Sequence, residues 1–234
     1  NRIIESMPGS IQCDQTCYGK KRMRNLYYVA IEGPIAVGKT SLAKLLSERL
    51  GARLILEGFG ENPFLSDFYE EPERYAFQTQ LFFLLQRYQQ QQELRQVDMF
   101  HNLLIADYMF VKDRLFASLN LDEKEMTLYD TVANLLEKNV INPDLVIYLQ
   151  ADTDTLMRNI ARRGRDMEKN ISEEYINALN QLYTEYFFRY QNTPLVIINT
   201  NNIDFVHNQE DLDEVINYIR QPVTGTKFFN PVSQ

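Results

Sequence analysis

The sequence predicts an α/β fold in which a five-stranded parallel sheet is covered by helices on both faces. Three observations point to it. Short β-branched or leucine-rich runs recur along the chain: LYYVAIEG (26–33), ARLILEG (52–58), HNLLIAD (101–107), PDLVIYLQ (143–150) and TPLVIINT (193–200). Longer stretches with helical spacing separate them, as crossover helices separate the buried strands of a parallel sheet. Pro143 and Pro194 each stand just before a run, where they close the preceding helix.

The helical stretches are expected at roughly 38–50, 62–70, 73–96, 107–118, 122–139, 152–164, 172–190 and 209–220. Asp152 before TDTLMRNI and Ser172 before EEYINAL are candidate N-caps, the second with acids in its first turn. Phe77, Leu81, Leu84, Leu85 and Tyr88 recur at helical spacing and read as core, whereas Gln78 lies off that stripe. In EYINALNQLYTEYFFRY aromatics fall on more than one face, which implies burial against another subunit as well as the core.

A chain of 234 residues, 44% hydrophobic and 12% aromatic, suits one globular domain with a single large core. Its net charge of −8 argues against a nucleic-acid partner. No run approaches the roughly 18 apolar residues of a membrane span and no apolar signal core follows the amino terminus, so the protein is expected to be soluble and cytoplasmic. Residues 1–25 differ from the rest, with a net charge of +3, no periodicity and both cysteines, Cys13 and Cys17. They are expected to form a flexible leader, with the domain at 26–234. With His101 and His207 as the only histidines, serine–histidine triads and histidine-rich metal sites are poorly supplied.

The first run leads into Gly33-Pro34-Ile35-Ala36-Val37-Gly38-Lys39-Thr40-Ser41, which fits GxxxxGK(S/T) between a strand and an amphipathic helix. In that setting the loop N–H groups and the helix N-terminus face a polyphosphate. Lys39 reaches the β and γ phosphates and the Thr40 hydroxyl binds Mg²⁺, so the expected ligand is a nucleoside triphosphate with magnesium. The fold class becomes a P-loop NTPase-type three-layer fold.

Two other runs end in acids, Glu57 and Asp107, and the carboxyl ends of parallel strands open onto the ligand crevice. Asp107 reads as a Walker-B-type metal ligand and Glu57 as the base for a hydroxyl acceptor. A strand-terminal acid can equally cap a turn. Residues 158–170, RNIARRGRDMEKN, carry a net +3 in an acidic body, interrupted by Gly164. That pattern suits a short arginine-rich lid closing over phosphates, although basic residues also suit a helix C-terminus.

The order of these features, and the sequence around them, resembles the deoxynucleoside kinases, especially the bacterial deoxyadenosine and deoxyguanosine kinases, over about residues 26–206. The resemblance rests on EGPIAVGKTS, LEGFGENPFLSDFYEEPERYAFQTQ, ADYMFVKDRLF, RRGRDMEKN and NTNNIDF. It implies transfer of the γ-phosphate of ATP to the 5′-hydroxyl of a deoxynucleoside, with a purine as the expected base. It further implies Glu57 as general base, Tyr69 and Glu168 on the sugar 3′-hydroxyl, and Phe77 and Gln78 as an aromatic wall and a base-reading amide. Asp113 would take part in base recognition, held by Arg87. Arg163 and Arg165 would be the lid pair on the phosphates, and Asp204 and Phe205 would fall in the loop touching the donor adenine. A homodimer is also implied.

One departure stands out. The family usually follows the acid at the end of the third strand with Arg and Ser, and this chain reads Asp107-Tyr108-Met109, without the arginine. Lys112 and Arg114 lie further on, in directions that sequence alone does not align with residue 108. Two alternatives therefore stay open. A nucleoside monophosphate kinase of the thymidylate kinase type would need arginines around an acceptor phosphate, for which Arg74, Arg87 and Arg95 are available. A non-catalytic nucleotide-binding scaffold would tolerate Tyr108, but Lys39, Thr40, Glu57 and Arg163 are intact.

Overall fold

The computed structural model describes residues 27–94 and 103–230. The leader expected over 1–25, His101 and the last two residues of the helix expected to reach 96 lie outside that range. Six strands form one parallel sheet: β1 (Tyr28–Glu32), β2 (Arg53–Ile55), β3 (Leu104–Ala106), β4 (Leu145–Gln150), β5 (Leu195–Asn199) and β6 (Thr226–Phe229). Their spatial order is β2-β3-β1-β4-β5-β6. The first five are those read from the apolar runs.

The sixth strand corrects the expected count. The segment TKFF is short, follows Pro222 and Gly225, and alternates exposed with half-buried residues. An edge strand packs on one side only and so needs no apolar run. It aligns with β5 through pairs such as Ile197 with Phe228.

Residues of β1, β4 and β5 alternate between two apolar layers, as the two-residue period of a strand requires. Val29, Ile31, Ile147, Leu149, Val196 and Ile198 face one layer. There they meet α1 (Lys39–Leu50), α6 (Thr153–Arg163) and α8 (Gln209–Ile219) through residues such as Leu42, Leu46, Leu156, Ile160, Leu212 and Val215. Ala30, Val146, Tyr148, Leu195 and Ile197 face the other, against Leu179, Tyr183 and Phe187 of α7 (Glu173–Phe188). Burying one such Leu or Ile contributes about 1.5–3 kcal/mol, so these layers outweigh helix propensity in fixing the fold.

A third cluster lies beyond the sheet. It joins α3 (Pro72–Leu94), α4 (Lys112–Asn120) and α5 (Glu123–Glu137) through Leu84, Phe110, Ala117, Tyr129 and Ala133. A short α2 (Leu65–Glu70) precedes α3. The two caps read from sequence are formed: the side chain of Asp152 accepts from Thr155 N at 2.7 Å and that of Ser172 from Tyr175 N at 3.1 Å. The helix expected from 107 begins only at Lys112. Tyr108, Met109 and Phe110 are all buried, and the Met109 N–H is taken at 2.6 Å by the Glu32 carboxylate, which holds the segment out of helix.

The loop after β1 is shaped by its glycines. Gly33 has φ +151° and Gly38 φ +106°, and a Cβ on Gly33 would lie 2.5 Å from the Leu149 carbonyl oxygen and 2.8 Å from Val37 Cγ1. Gly33→Ala is therefore expected to cost about 2 kcal/mol or more. Urea unfolding of the variant beside wild type measures that loss.

Candidate active site

Three strand ends converge on one crevice. The chain leaves β1 through the phosphate loop, leaves β2 through Leu56 to Glu57, and leaves β3 directly into Asp107. Asp107 is buried and joins the other two: its Oδ2 accepts from Thr40 Oγ1 at 2.6 Å, and its Oδ1 accepts from the Glu57 backbone N at 2.8 Å. A hydroxyl and a carboxylate oxygen side by side suit a hard, oxygen-seeking cation such as Mg²⁺, which takes one or two carboxylates and completes its shell with phosphate and water. Among the described residues no cluster of three or more His, Cys, Asp or Glu competes with that pair.

Lys39 extends over the loop, where its Nζ donates to the carbonyl oxygens of Gly33 and Pro34 at 2.8 and 2.9 Å. Burial, reinforced by the nearby charge of Lys112, pushes its pKa down to about 8. The Glu57 carboxylate carries a cation on each oxygen, Arg87 Nη2 on Oε1 and Lys112 Nζ on Oε2. Burial alone would raise its pKa, but Lys112 and Arg87 outweigh burial and hold it at about 2. Arg87 also pairs with Asp113, and its guanidinium lies 5.5 Å from the ring centroids of both Phe83 and Tyr108.

Two cavities meet at this cluster. The first, of about 840 Å³ counting its mouth, is lined by Lys39, Thr40, Glu57, Asp107 and Lys112, with Gln80, Arg87 and Asp113 deeper in. Phe68, Tyr69, Phe83, Phe116 and Tyr175 make its walls. The second, of about 1440 Å³, runs along the other side of the loop past Arg158 and Arg162 to the 200–206 turn with Asp204 and Phe205. Ala36, Lys39, Thr40, Arg163 and Arg165 line both.

Of the residues singled out in the sequence, Gly38, Lys39, Thr40, Ser41, Arg163, Arg165, Asp204 and Phe205 line the second cavity. Phe205 is buried, with its ring 3.0 Å from where a Gly38 Cβ would stand. In the lid Arg163 grips Glu168 through Nε at 3.1 Å and Nη2 at 2.5 Å, and Arg165 Nη1 lies 3.4 Å from the same carboxylate. Tyr69 and Glu168 share the first cavity. Arg114 turns away to Asp130 and Asn134. Arg74 is exposed and paired with Glu71, and Arg95 lies outside the described residues.

Phe77 and Gln78 are the residues that the structure does not bring to the site. Phe77 packs in the third cluster with Leu84 and Tyr129, and Gln78 is exposed. The amide and ring of α3 that line the cavity belong to Gln80 and Phe83. Gln80 is only 2% exposed, as is Asp113, and among the described residues Gln80 Oε1 and Asp113 Oδ2 are buried without a hydrogen-bond partner. The signal was available: Gln80 lies three residues after Phe77 and four before Leu84, on the apolar face where a polar side chain needs a partner. Glu32 also went unnoticed. It is buried at the end of β1 and accepts from Met109 N, Gly33 N and Tyr183 Oη, with burial raising its pKa.

Comparison with known proteins gives a consistent picture. A family model described as deoxynucleoside kinase matches residues 29–224. A deoxyguanosine kinase of Bacillus subtilis is 31% identical over 208 residues, covering 85% of this chain and 99% of that protein. A deoxyadenosine kinase of Dictyostelium discoideum is 30% identical over 234 residues, covering 99% of this chain and 90% of that protein. The solved structure of a deoxyadenosine kinase from M. mycoides with bound dCTP superposes with a TM-score of 0.72 at 26% identity, covering 82% of this chain and 98% of that one.

The state of Glu57 makes a measurable contribution to stability. Its folded pKa of about 2 lies below the ordinary 4.5, so the stabilisation is complete above pH 4.5 and is lost as pH falls toward 2. The shift corresponds to about 3 kcal/mol. Glu57→Gln has no such titration, and the gap in unfolding free energy between wild type and variant is expected to change in the variant's favour by about 2 kcal/mol between pH 7 and pH 3.

Proposed function

Because this chain belongs to the deoxynucleoside kinase family, we propose that it phosphorylates a purine deoxynucleoside with ATP through the residues of the two adjoining cavities, with Glu57 as the base. The enzyme is a phosphotransferase that acts on a deoxynucleoside. One observation carries the assignment of roles: the phosphate loop, the Thr40–Asp107 pair and Glu57 lie where the cavity holding Gln80 and Asp113 meets the cavity holding Asp204 and Phe205.

The donor triphosphate lies over the loop between Gly33 and Ser41, with Lys39 on its β and γ phosphates and Arg163 and Arg165 closing on it. Asp204 and Phe205 border its base. Thr40 and Asp107 hold Mg²⁺, which when bound screens the β and γ phosphate charges. The deoxynucleoside lies in the first cavity, its 3′-hydroxyl between Tyr69 and Glu168 and its base against Gln80 and Asp113. Glu57 accepts the 5′-hydroxyl proton as that oxygen bonds to the γ phosphorus and the bond from phosphorus to ADP breaks.

The base subsite supports a base that bears an amino group, as both adenine and guanine do and thymine does not. Asp113 Oδ2 and Gln80 Oε1 are acceptors with no hydrogen-bond partner among the described residues. A buried acceptor left without a donor costs about 1–3 kcal/mol, which a base presenting an amino group relieves. The monophosphate kinase alternative loses two of its three arginines, since Arg87 is committed to Glu57 and Asp113 and Arg74 is exposed beside Glu71. Among the described residues no helix is long and apolar enough to cross a membrane, and a cytoplasmic site suits both ATP and a salvaged deoxynucleoside. The proposal includes a homodimer, for which Phe188, 85% exposed at the end of α7, offers an apolar surface.

Transfer of ³²P from ATP to each of the four deoxynucleosides and each monophosphate tests the reaction. Deoxyadenosine and deoxyguanosine are expected to be labelled in preference to thymidine, and labelling of monophosphates alone would overturn the assignment. Glu57→Gln is expected to lower kcat a hundredfold or more while nucleotide binding persists. Gln80→Ala is expected to raise KM for the deoxynucleoside about tenfold with KM for ATP unchanged, and Gln78→Ala to alter neither.

A further inference from the structure

The Glu57 carboxylate has no oxygen to spare. Arg87 occupies Oε1 and Lys112 occupies Oε2, yet a base must offer an oxygen to the hydroxyl whose proton it takes. The two cations differ in how firmly they are held. Arg87 is buried between the rings of Phe83 and Tyr108 and is shared with Asp113. Lys112 pairs with Glu57 through a single ammonium on a four-carbon stem, which runs past the ring of Phe116. It is the cation able to move.

Lys112 is also poorly placed for a structural lysine. It is the first residue of α4, at the helix end where the backbone dipole is positive and cations are unfavourable. It is buried, and its charge is felt by Lys39, the phosphate-loop lysine. Glu32 already feels both charges, and a triphosphate over the loop is a further anion that can meet both. Position 108, one residue beyond Asp107, supplies an aromatic ring and a buried hydroxyl that has no hydrogen-bond partner among the described residues, and no charge.

We propose that Lys112 is a further catalytic residue: on triphosphate binding its ammonium leaves Glu57 Oε2 for an oxygen of the γ-phosphate, which frees Oε2 for the 5′-hydroxyl and places a cation on the group being transferred. No bond forms to Lys112. The new bond joins the 5′-oxygen to the γ phosphorus, the bond to ADP breaks, and the proton passes to Oε2. The base is thereby covered until the donor arrives. The inference rests on the reading of Glu57 as base and of the loop as triphosphate site.

Calorimetric binding of a non-hydrolysable ATP analogue and of ADP, each with Mg²⁺, to wild type, K112M, K112Q and K112R isolates the contribution of the γ-phosphate. Wild type is expected to prefer the triphosphate analogue, and K112M and K112Q to lose about tenfold of that preference with ADP affinity held within about twofold. Their kcat is expected to fall about a hundredfold with KM for the deoxynucleoside nearly unchanged. K112R, which keeps the charge, is expected to recover most of the preference and at least a tenth of kcat. Retention of the wild-type preference in both K112M and K112Q overturns the proposal. The two readings fail separately: an active Glu57→Gln enzyme removes the base while leaving the γ-phosphate preference to report on Lys112, and an intact preference in the Lys112 variants leaves Glu57 as base.

Discussion

One buried guanidinium ties the acceptor site together. Arg87, on α3, holds Glu57 beyond β2 with one nitrogen and Asp113 on α4 with another. A parallel sheet sends the carboxyl ends of its strands to the same edge, so a crevice there gathers acids from several strands. Here Glu32, Glu57 and Asp107 come together, and leaving one such buried charge unpaired costs about 3–5 kcal/mol. Arg87, Lys39 and Lys112 are the cations that make the gathering tolerable. The carboxylate proposed as base and the carboxylate proposed to meet the nucleobase are thus tied to one side chain.

Most of the fold was legible because strands buried on both faces leave an unmistakable trace. Tyr28 to Ile31 and Leu145 to Leu149 must satisfy two apolar layers at once, and only a continuous apolar run does so. The missed elements lie where that demand lapses. Strand β6 is half exposed at the edge and is defined by its pairing with β5. The start of α4 is set by a tertiary contact, the Glu32 carboxylate on the Met109 N–H, which no local pattern encodes.

The site was legible in the same measure. Gly33 to Ser41 could be read locally because the loop's geometry comes from its own glycines and the helix that follows. Glu57 and Asp107 could be read from their places after strands. Gln80 and Gln78 do not differ in residue type, and what separates them is the helical register that sets Gln80 on the face of Leu84. Lys112 was undecidable in the sequence, since whether it or Arg114 reaches Glu57 turns on the four irregular residues between Asp107 and α4.

The lid arginines do not wait in open water. Arg163 grips the Glu168 carboxylate with two nitrogens, and Arg165 leans on it from the other side of Gly164. Any visiting anion must outcompete a resident one that is already covalently at hand. Chloride or bicarbonate, each with a single charge, lacks the strength to do so, and a polyphosphate with several charges has it. On the proposed reading of these arginines as phosphate ligands, a carboxylate so placed favours an anion of high charge density over small singly charged ones.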